Sequence, residues 1–368
     1  MAKKKVILLK VDRYDKDLLI DVIKSALDNY FYLEDVLRTR KVLLKPNLLI
    51  PVDPSYAITT HSVLIEAVGC IFKERGLDVY IADNPSIFNT SVSVERVYKE
   101  TKVKQLAERH GFKLLHSTSS YVVEGIPFST WACDFTVINL PKLKTHSITT
   151  ITCAVKNLYG CISGAYKSRL HKMYPKTEDF IKVLLRVCKT IKPLINIVDA
   201  VVSLEGEGPA TGGTPRHTGF IAIGDDALSV DYVVSEVIGL PKEKNPLISF
   251  AEKEGYFRAA EVEVSSEGKN FTIDGFRFPA KFSLNNIPSF VIKILGNFVK
   301  IYPKVKRKVC TGCGDCSKIC PVGAITIIGR NASIDYSKCI LCMCCFEVCR
   351  FRAIEVKESF LLKLKNLL

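Results

Sequence analysis

Cys310-Thr-Gly-Cys313-Gly-Asp-Cys316-Ser-Lys-Ile-Cys320-Pro321 and Cys339-Ile-Leu-Cys342-Met-Cys-Cys345-Phe-Glu-Val-Cys349 decide the fold of the C-terminal part of this 368-residue chain. Both runs have the spacing C-x2-C-x2-C-x3-C, and the second starts 29 residues after the first. Three cysteines on a tight loop reach three corners of a cubane iron–sulfur cluster. The fourth lies too far along the chain to close the same cube and ligates the other one. The spacing therefore predicts two 4Fe–4S clusters, one on Cys310, Cys313, Cys316 and Cys349, the other on Cys339, Cys342, Cys345 and Cys320. Structural zinc also uses paired C-x-x-C, but it has no need of a third cysteine at x2 and a fourth at x3, twice over. Ala324-Ile325 and Ala353-Ile354 repeat at the same offset, so a cysteine loop and a short apolar strand are duplicated. Cys344, between ligands, reads as a bystander.

Outward from the cysteines, residues 286–308 form an apolar segment with lysines that runs into a basic linker. Its continuous apolar stripe predicts a helix that docks one domain on another, in preference to one lying on a membrane surface. Residues 359–368 read as a second short docking helix, which leaves 309–358 as the cluster module.

Residues 1–285 alternate two patterns. Apolar runs at 6–11, 41–44, 79–82, 135–139, 195–198 and 220–223 read as strands. Between them, 17–29, 62–75, 92–110, 178–191 and 226–240 space apolar residues at helical intervals. Strands alternating with helices predict an α/β domain with a mostly parallel sheet covered by helices, beside a small α+β two-cluster ferredoxin-like domain at the C-terminus. Open sheets of this kind bind ligands at the carboxyl ends of their strands.

The chain carries a formal charge of +14 and is 48% apolar. Two oxidised clusters with their thiolates, at about −2 each, lower the charge but leave it basic. No run of about eighteen apolar residues is present to span a bilayer. The N-terminus is too short in apolar length for a secretory signal, which points to a cytoplasmic protein. Aromatic residues are not interleaved with the basic loops as single-strand nucleic-acid binders require, so nucleic acid is disfavoured.

Four polar loops follow strand-like runs. They hold Lys45 and Asn47 with the nearby His61; Asp83 and Asn84; Lys142, Lys144, Thr145 and His146, continuing to Lys156 and Asn157; and a glycine loop with Gly206, Gly208, Gly212 and Gly213. The lysines offer positive charge and the glycines uncovered N–H groups, a combination suited to an anion. His61 and His146 are the candidates for proton transfer. Neither a G-x-G-x-x-G nor a P-loop pattern is present.

The cysteine segment resembles the bacterial two-cluster ferredoxin family. The larger part resembles the family called domain of unknown function 362, over roughly residues 40–240. That second likeness is carried by Leu44-Lys45-Pro46-Asn47, the run 141–146, Lys156-Asn157 with Gly160, the loop 205–213, and Asp226 with Asp231. Members often carry an appended two-cluster module, so the resemblance implies an iron–sulfur redox protein of this layout, with flavin or deazaflavin coenzymes among the candidate acceptors.

The resulting expectation is a ferredoxin-linked oxidoreductase. Its clusters would join a soluble redox partner such as a ferredoxin to an anionic acceptor, a flavin or deazaflavin, in the α/β domain. The alternative is a non-catalytic electron-transfer subunit that docks on a partner enzyme.

Overall fold

The computed structural model describes residues 3–359 apart from 32, 34–39, 86–92, 118, 267–270 and 280–300. Most of the segment expected to form a helix and linker, and nearly all of the C-terminal docking helix, lie outside the described residues. In chain order the strands of the larger part are β1 Lys4–Lys10, β2 Lys41–Pro46, β3 Asp78–Ile81, β4 Lys113–Leu114, β5 Ser120–Val123 and β6 Ile126–Ser129. They continue as β7 Thr136–Leu140, β8 Lys142–His146, β9 Thr150–Thr152, β10 Ile195–Gly206, β11 Gly213–Gly224 and β12 Val262–Ser266. The main sheet has the order β12-β1-β11-β10-β7-β2-β3-β4, with β8 on β10 and β9 on β8, while β5 and β6 pair as a separate hairpin.

Alternation along the strands sorts the core into two layers, because successive side chains point to opposite faces. Val6, Leu8, Leu43, Phe220 and Ala222 face one layer; Ile7, Leu9, Val42, Leu44, Ile221 and Ile223 face the other. Helices α1 Lys16–Tyr30, α2 Ser62–Glu74, α3 Val94–Glu100 and α4 Val103–His110 cover the second layer. Helices α5 Thr130–Asp134, α6 Ala154–Asn157, α7 Tyr166–Met173, α8 Thr177–Ile191, α9 Ala227–Val237 and α10 Pro246–Lys253 cover the first. The expected α/β class is therefore observed. Pairs β3–β4, β2–β3, β2–β7, β7–β10 and β1–β12 are parallel, and β11 runs antiparallel to both its neighbours.

One expected helix, 92–110, is two. Thr101 donates from its hydroxyl to the Val97 carbonyl at 2.7 Å, and Lys102 takes a left-handed φ of 62° before α4 begins. A residue in that region ends one helix and re-aims the next.

The cluster module comprises β13 Ile301–Val305, α11 Asp315–Ile319, β14 Ile325–Ile328, β15 Asn331–Ile334, α12 Cys344–Val348 and β16 Ile354–Glu358. Strands β13 and β16 pair antiparallel, as do β14 and β15. Its sheet thus begins inside the segment read as linker. Ile319, Ile325, Phe346, Val348 and Ile354 form its own small core.

The β10–β11 hairpin reaches from the sheet to this module. At its tip the Thr211 hydroxyl donates to the Cys349 carbonyl at 3.0 Å. A Cβ on Gly212 would lie 2.3 Å from the Phe346 ring, so only glycine lets the two parts close to this distance.

Candidate functional site

Strand ends, the turn before α6, the start of α7 and the cluster module enclose one cleft, a cavity of about 80 Å³. Strands β2 and β8 bring Lys45, Asn47, Lys144 and His146 into it; α6 brings Lys156 and Asn157; α7 brings Lys167 and His171; and the module adds Ile319, Cys344 and Glu347.

A buried network fixes the floor. The Lys45 ammonium donates to Asp83 Oδ1 at 2.6 Å and to the Pro46 carbonyl at 2.8 Å. Asp83 also accepts from the Leu48 N–H at 2.8 Å. Asn157 bridges strands, donating to the Lys45 carbonyl at 3.1 Å and to Asn139 Oδ1 at 2.8 Å, and accepting from Asn47 Nδ2 at 2.9 Å. Asp231 of α9 accepts from the Ala154 and Val155 N–H groups at 2.5 and 3.2 Å, which pins the first turn of α6 and so aims Lys156 and Asn157. Burial raises the Asp231 carboxyl to about 7 despite those two donors. Gly160 lets the next turn pass close: a Cβ there would lie 2.3 Å from Asp83 Oδ1 and 2.7 Å from the Lys45 ammonium.

The cations above this floor are differently placed. Lys144 donates to Asn47 Oδ1 and to the Ile58 carbonyl, each at 2.7 Å. Burial, only partly offset by Glu347, lowers its pKa to about 7. Lys167 of α7 donates to the carbonyls of Asn84 and Pro85, and burial lowers it to about 8. Among the described residues Lys156 has no carboxylate within salt-bridge distance and no hydrogen-bond partner; Glu347 acts on it through space, and its ammonium sits 5.0 Å from the Tyr159 ring centre.

His146 meets the cluster module. Its Nδ1 accepts from the Ile148 N–H at 3.0 Å, which places the ring proton on Nε2, 3.1 Å from Glu347 Oε1. Burial lowers His146 to about 4, so the imidazole is neutral at pH 7. Burial pulls Glu347 upward, but His146 and Lys156 outweigh it and hold the carboxyl at about 2.

In the module, Cys310, Cys313, Cys316 and Cys349 line one void, and Cys320, Cys339, Cys342 and Cys345 line another. Among the described residues no three Cys, His, Asp or Glu side chains are placed to hold a single metal ion; each set of four thiols is spread round a void, the disposition that a multi-atom cluster fits. The Ala332, Ala324 and Ala353 N–H groups reach the sulfurs of Cys310, Cys320 and Cys349 at 3.3, 3.2 and 3.3 Å. Such contacts suit sulfur that carries negative charge. Cys344 lines both the second void and the cleft.

Several residues expected at the site lie elsewhere. Lys142 is fully buried against Asp199, 3.0 Å from Oδ2. Tyr14 donates to Asp199 Oδ1 at 2.7 Å and accepts from Lys142 at 2.8 Å. His61 stacks on Tyr14 with ring centres 3.6 Å apart, and its backbone N–H donates to Asp199 Oδ2 at 2.7 Å. Asp199 thus captures both residues, and neither lines the cleft. The glycine loop is the tip of the β10–β11 hairpin. The Gly208 N–H donates to the Thr145 hydroxyl at 3.1 Å, and a Cβ on Gly213 would lie 2.5 Å from Leu204. Gly206, with φ 77°, starts the turn. These glycines, and Thr145, pack the hairpin and lie outside the lining of the cleft; Pro209 of the same loop does line it. Sequence reading missed Lys167, His171 and Glu347.

The family model described as "Domain of unknown function (DUF362)" matches residues 42–236, more than half of the chain. The chain belongs to the DUF362 family. The DUF362 match takes in every cleft residue outside the cluster module, and a second model, "4Fe-4S dicluster domain", matches residues 302–350. The chain is 28% identical over 296 residues to "Thylakoid-associated protein sll1697" of Synechocystis, covering 75% of this chain and 88% of that protein. Its cluster segment is 44% identical over 48 residues to one of the subunits of an ion-translocating oxidoreductase complex of Methanosarcina acetivorans, covering 13% of this chain and 18% of that protein. This DUF362 protein therefore carries a ferredoxin-type iron–sulfur module for electron transfer. Among the described residues no helix is long and apolar enough to cross a membrane.

Proposed function

We propose that the protein is an iron–sulfur oxidoreductase. Its two sets of four cysteines hold two 4Fe–4S clusters that pass electrons between a ferredoxin-type partner and an anionic organic acceptor in the cleft, with a flavin or deazaflavin favoured. The observation that carries this reading is the shared wall: Cys344 borders both the void of the second cysteine set and the cleft lined by Lys144, Lys156 and Lys167. When bound, the clusters supply single electrons and a flavin-type ring gathers two. The chain's own residues bind and orient. The lysines attract the anion, the Asn47–Asn157–Asn139 chain keeps the floor rigid, and Nε2 of neutral His146 lies 3.1 Å from Glu347 Oε1 without a hydrogen bond between them.

The first cysteine set supports a docking role for its face. Cys313 is exposed, and Ile328, Ile327 and Phe351 are 67%, 36% and 38% exposed. The exposed Arg307, Lys308 and Arg330 lie in the same module. An apolar patch with basic surroundings suits an acidic ferredoxin.

Anaerobic reconstitution should yield about eight iron and eight sulfide per chain. Mixing the dithionite-reduced protein with FMN or a deazaflavin should then reoxidise the clusters as the ring is reduced. A protein whose clusters pass electrons to a partner enzyme but never to a flavin or deazaflavin is instead an electron-transfer subunit, the alternative favoured by the match to the ion-translocating complex.

A further inference from the structure

Lys45, Lys144, Lys156 and Lys167 line the cleft against two carboxylates, Asp83 and Glu347. Asp83 is spent on Lys45, at 2.6 Å, and Glu347 faces His146 at 3.1 Å. No carboxylate contacts the remaining three ammonium groups: Lys144 has two amide or carbonyl oxygens, Lys167 two carbonyls and Lys156 aromatic ring faces, with Glu347 acting on Lys144 and Lys156 only through space. Lys144 is buried and Lys156 and Lys167 are partly buried; cations withdrawn from water are ordinarily paired, so the cleft's own side chains, four lysines against two carboxylates, are two negative charges short.

The shortage coincides with a helix end. The first residues of α7 border the cleft, and its N-cap is Ala165, which makes no side-chain cap. The uncapped N–H groups there carry the positive end of the helix dipole. His171 of the same helix is 7% exposed and lines the cleft, stacked on Phe180 with ring centres 4.4 Å apart. Neither of its ring nitrogens makes a hydrogen bond among the described residues.

We propose that this end of the cleft is a phosphomonoester site, in which Lys156, Lys167 and the first N–H groups of α7 hold the phosphoryl oxygens and His171 hydrogen-bonds one of them. A phosphomonoester near pH 7 carries close to two negative charges, which matches the shortage. Arginine, whose planar fork matches a carboxylate, is absent from the described lining, whereas lysines act on a tetrahedral phosphate as point charges. Size agrees. At about 80 Å³ the cavity is smaller than the roughly 150 Å³ cavity that admits benzene. A phosphoryl headgroup enters it, and a three-ring body stays at the mouth. Burial lowers Lys156 and Lys167, as expected of cations that await an anion.

The inference rests on the cleft being the acceptor site, and the test separates the two. Binding of FMN and of riboflavin, which lacks the phosphate, is measured on the anaerobically reconstituted protein. FMN should bind at least tenfold more tightly, a typical value for a charged contact. Inorganic phosphate should compete with it. Lys156→Met and Lys167→Met should each remove tenfold or more of FMN affinity and leave riboflavin almost unchanged, while Lys156→Arg should keep part of it. Equal binding of FMN and riboflavin overturns the phosphate site but leaves the flavin reading standing. A second arm needs no flavin: melting in phosphate is compared with melting in succinate and in chloride at equal ionic strength. Stabilisation by phosphate that is lost in Lys156→Met upholds the site even if no flavin binds. Equal stabilisation by succinate overturns it in favour of a dicarboxylate, and no phosphate effect overturns it outright.

Discussion

Lys142, fully buried, and Lys156, partly buried, both stand near the carboxyl ends of one sheet, in opposite company. Lys142 has Asp199 at 3.0 Å and the Tyr14 hydroxyl at 2.8 Å, with His61 stacked behind. Lys156 has ring faces and open cleft. Residue type is the same, and in the sequence both follow strand-like runs, although Lys142 opens β8 and Lys156 belongs to α6. What separates structural lysine from functional lysine is whether the fold supplies a counter-charge. A charge matched inside the protein has nothing left to offer a ligand, and an unmatched one is held at a cost that a ligand can relieve.

The sharpest way to break the comparison is Asp199→Asn. Leaving Lys142 buried without its anion should cost about 3–5 kcal/mol, read by denaturant unfolding, with FMN affinity of the folded protein nearly unchanged. A loss of FMN affinity equal to that of Lys156→Met would mean that the closed cluster belongs to the site after all.

Lys144 gives a pH signature. In the folded protein its pKa is about 7 because of burial, whereas the unfolded chain holds that proton to the ordinary lysine range. Between these values the unfolded state binds more protons, so stability rises with pH above 7, by at most about 1.4 kcal/mol per pH unit from this group. The deficit is fully present below pH 7. In Lys144→Met the rise should be correspondingly flatter when unfolding is followed from pH 7 to 9; an unaltered slope would show that Lys144 stays charged.

Lys156→Met should act in the opposite direction to Asp199→Asn. It removes a cation that no carboxylate contacts, so the ligand-free protein should gain about 1 kcal/mol by thermal or denaturant melting. Destabilisation would show that the cation is already satisfied. The smallest effect is expected at Cys344→Ala, which should leave iron and sulfide content unchanged. Loss of one cluster would make Cys344 a ligand and move the register of the second cysteine run.

Much of this was legible in the chain, for identifiable reasons. The strand pattern worked because apolar alternation on β1, β2 and β11 feeds two core layers at once. Lys45, Asn47, Lys144, His146, Lys156 and Asn157 could be placed at one site because each follows a strand, and parallel strands share a carboxyl edge. Lys142 and His61 satisfy the same rule, yet they are captured by Asp199, 57 and 138 residues away, and sequence spacing carries no trace of that. The glycines of 206–213 suggested an anion cradle, but their need is steric, a hairpin tip pressed on Thr145 and Phe346. Lys167 and His171 stayed hidden because Tyr-Lys-Ser-Arg-Leu-His-Lys-Met looks like any solvated basic helix until its N-terminus is seen to open on the cleft. Glu347 was hidden for another reason: it stands between cysteines and reads as part of the cluster module.

That wall of Ile319, Cys344 and Glu347 makes the cleft a joint possession of two folding units. Small metal-dependent modules take their structure from the metal they bind. If this module does the same, a chain that has not acquired its iron would lack one side of the cavity, and with it the Glu347 carboxylate that stands beside His146. On the proposed reading, loading with iron would complete the cavity, so the acceptor site would form only where the clusters do.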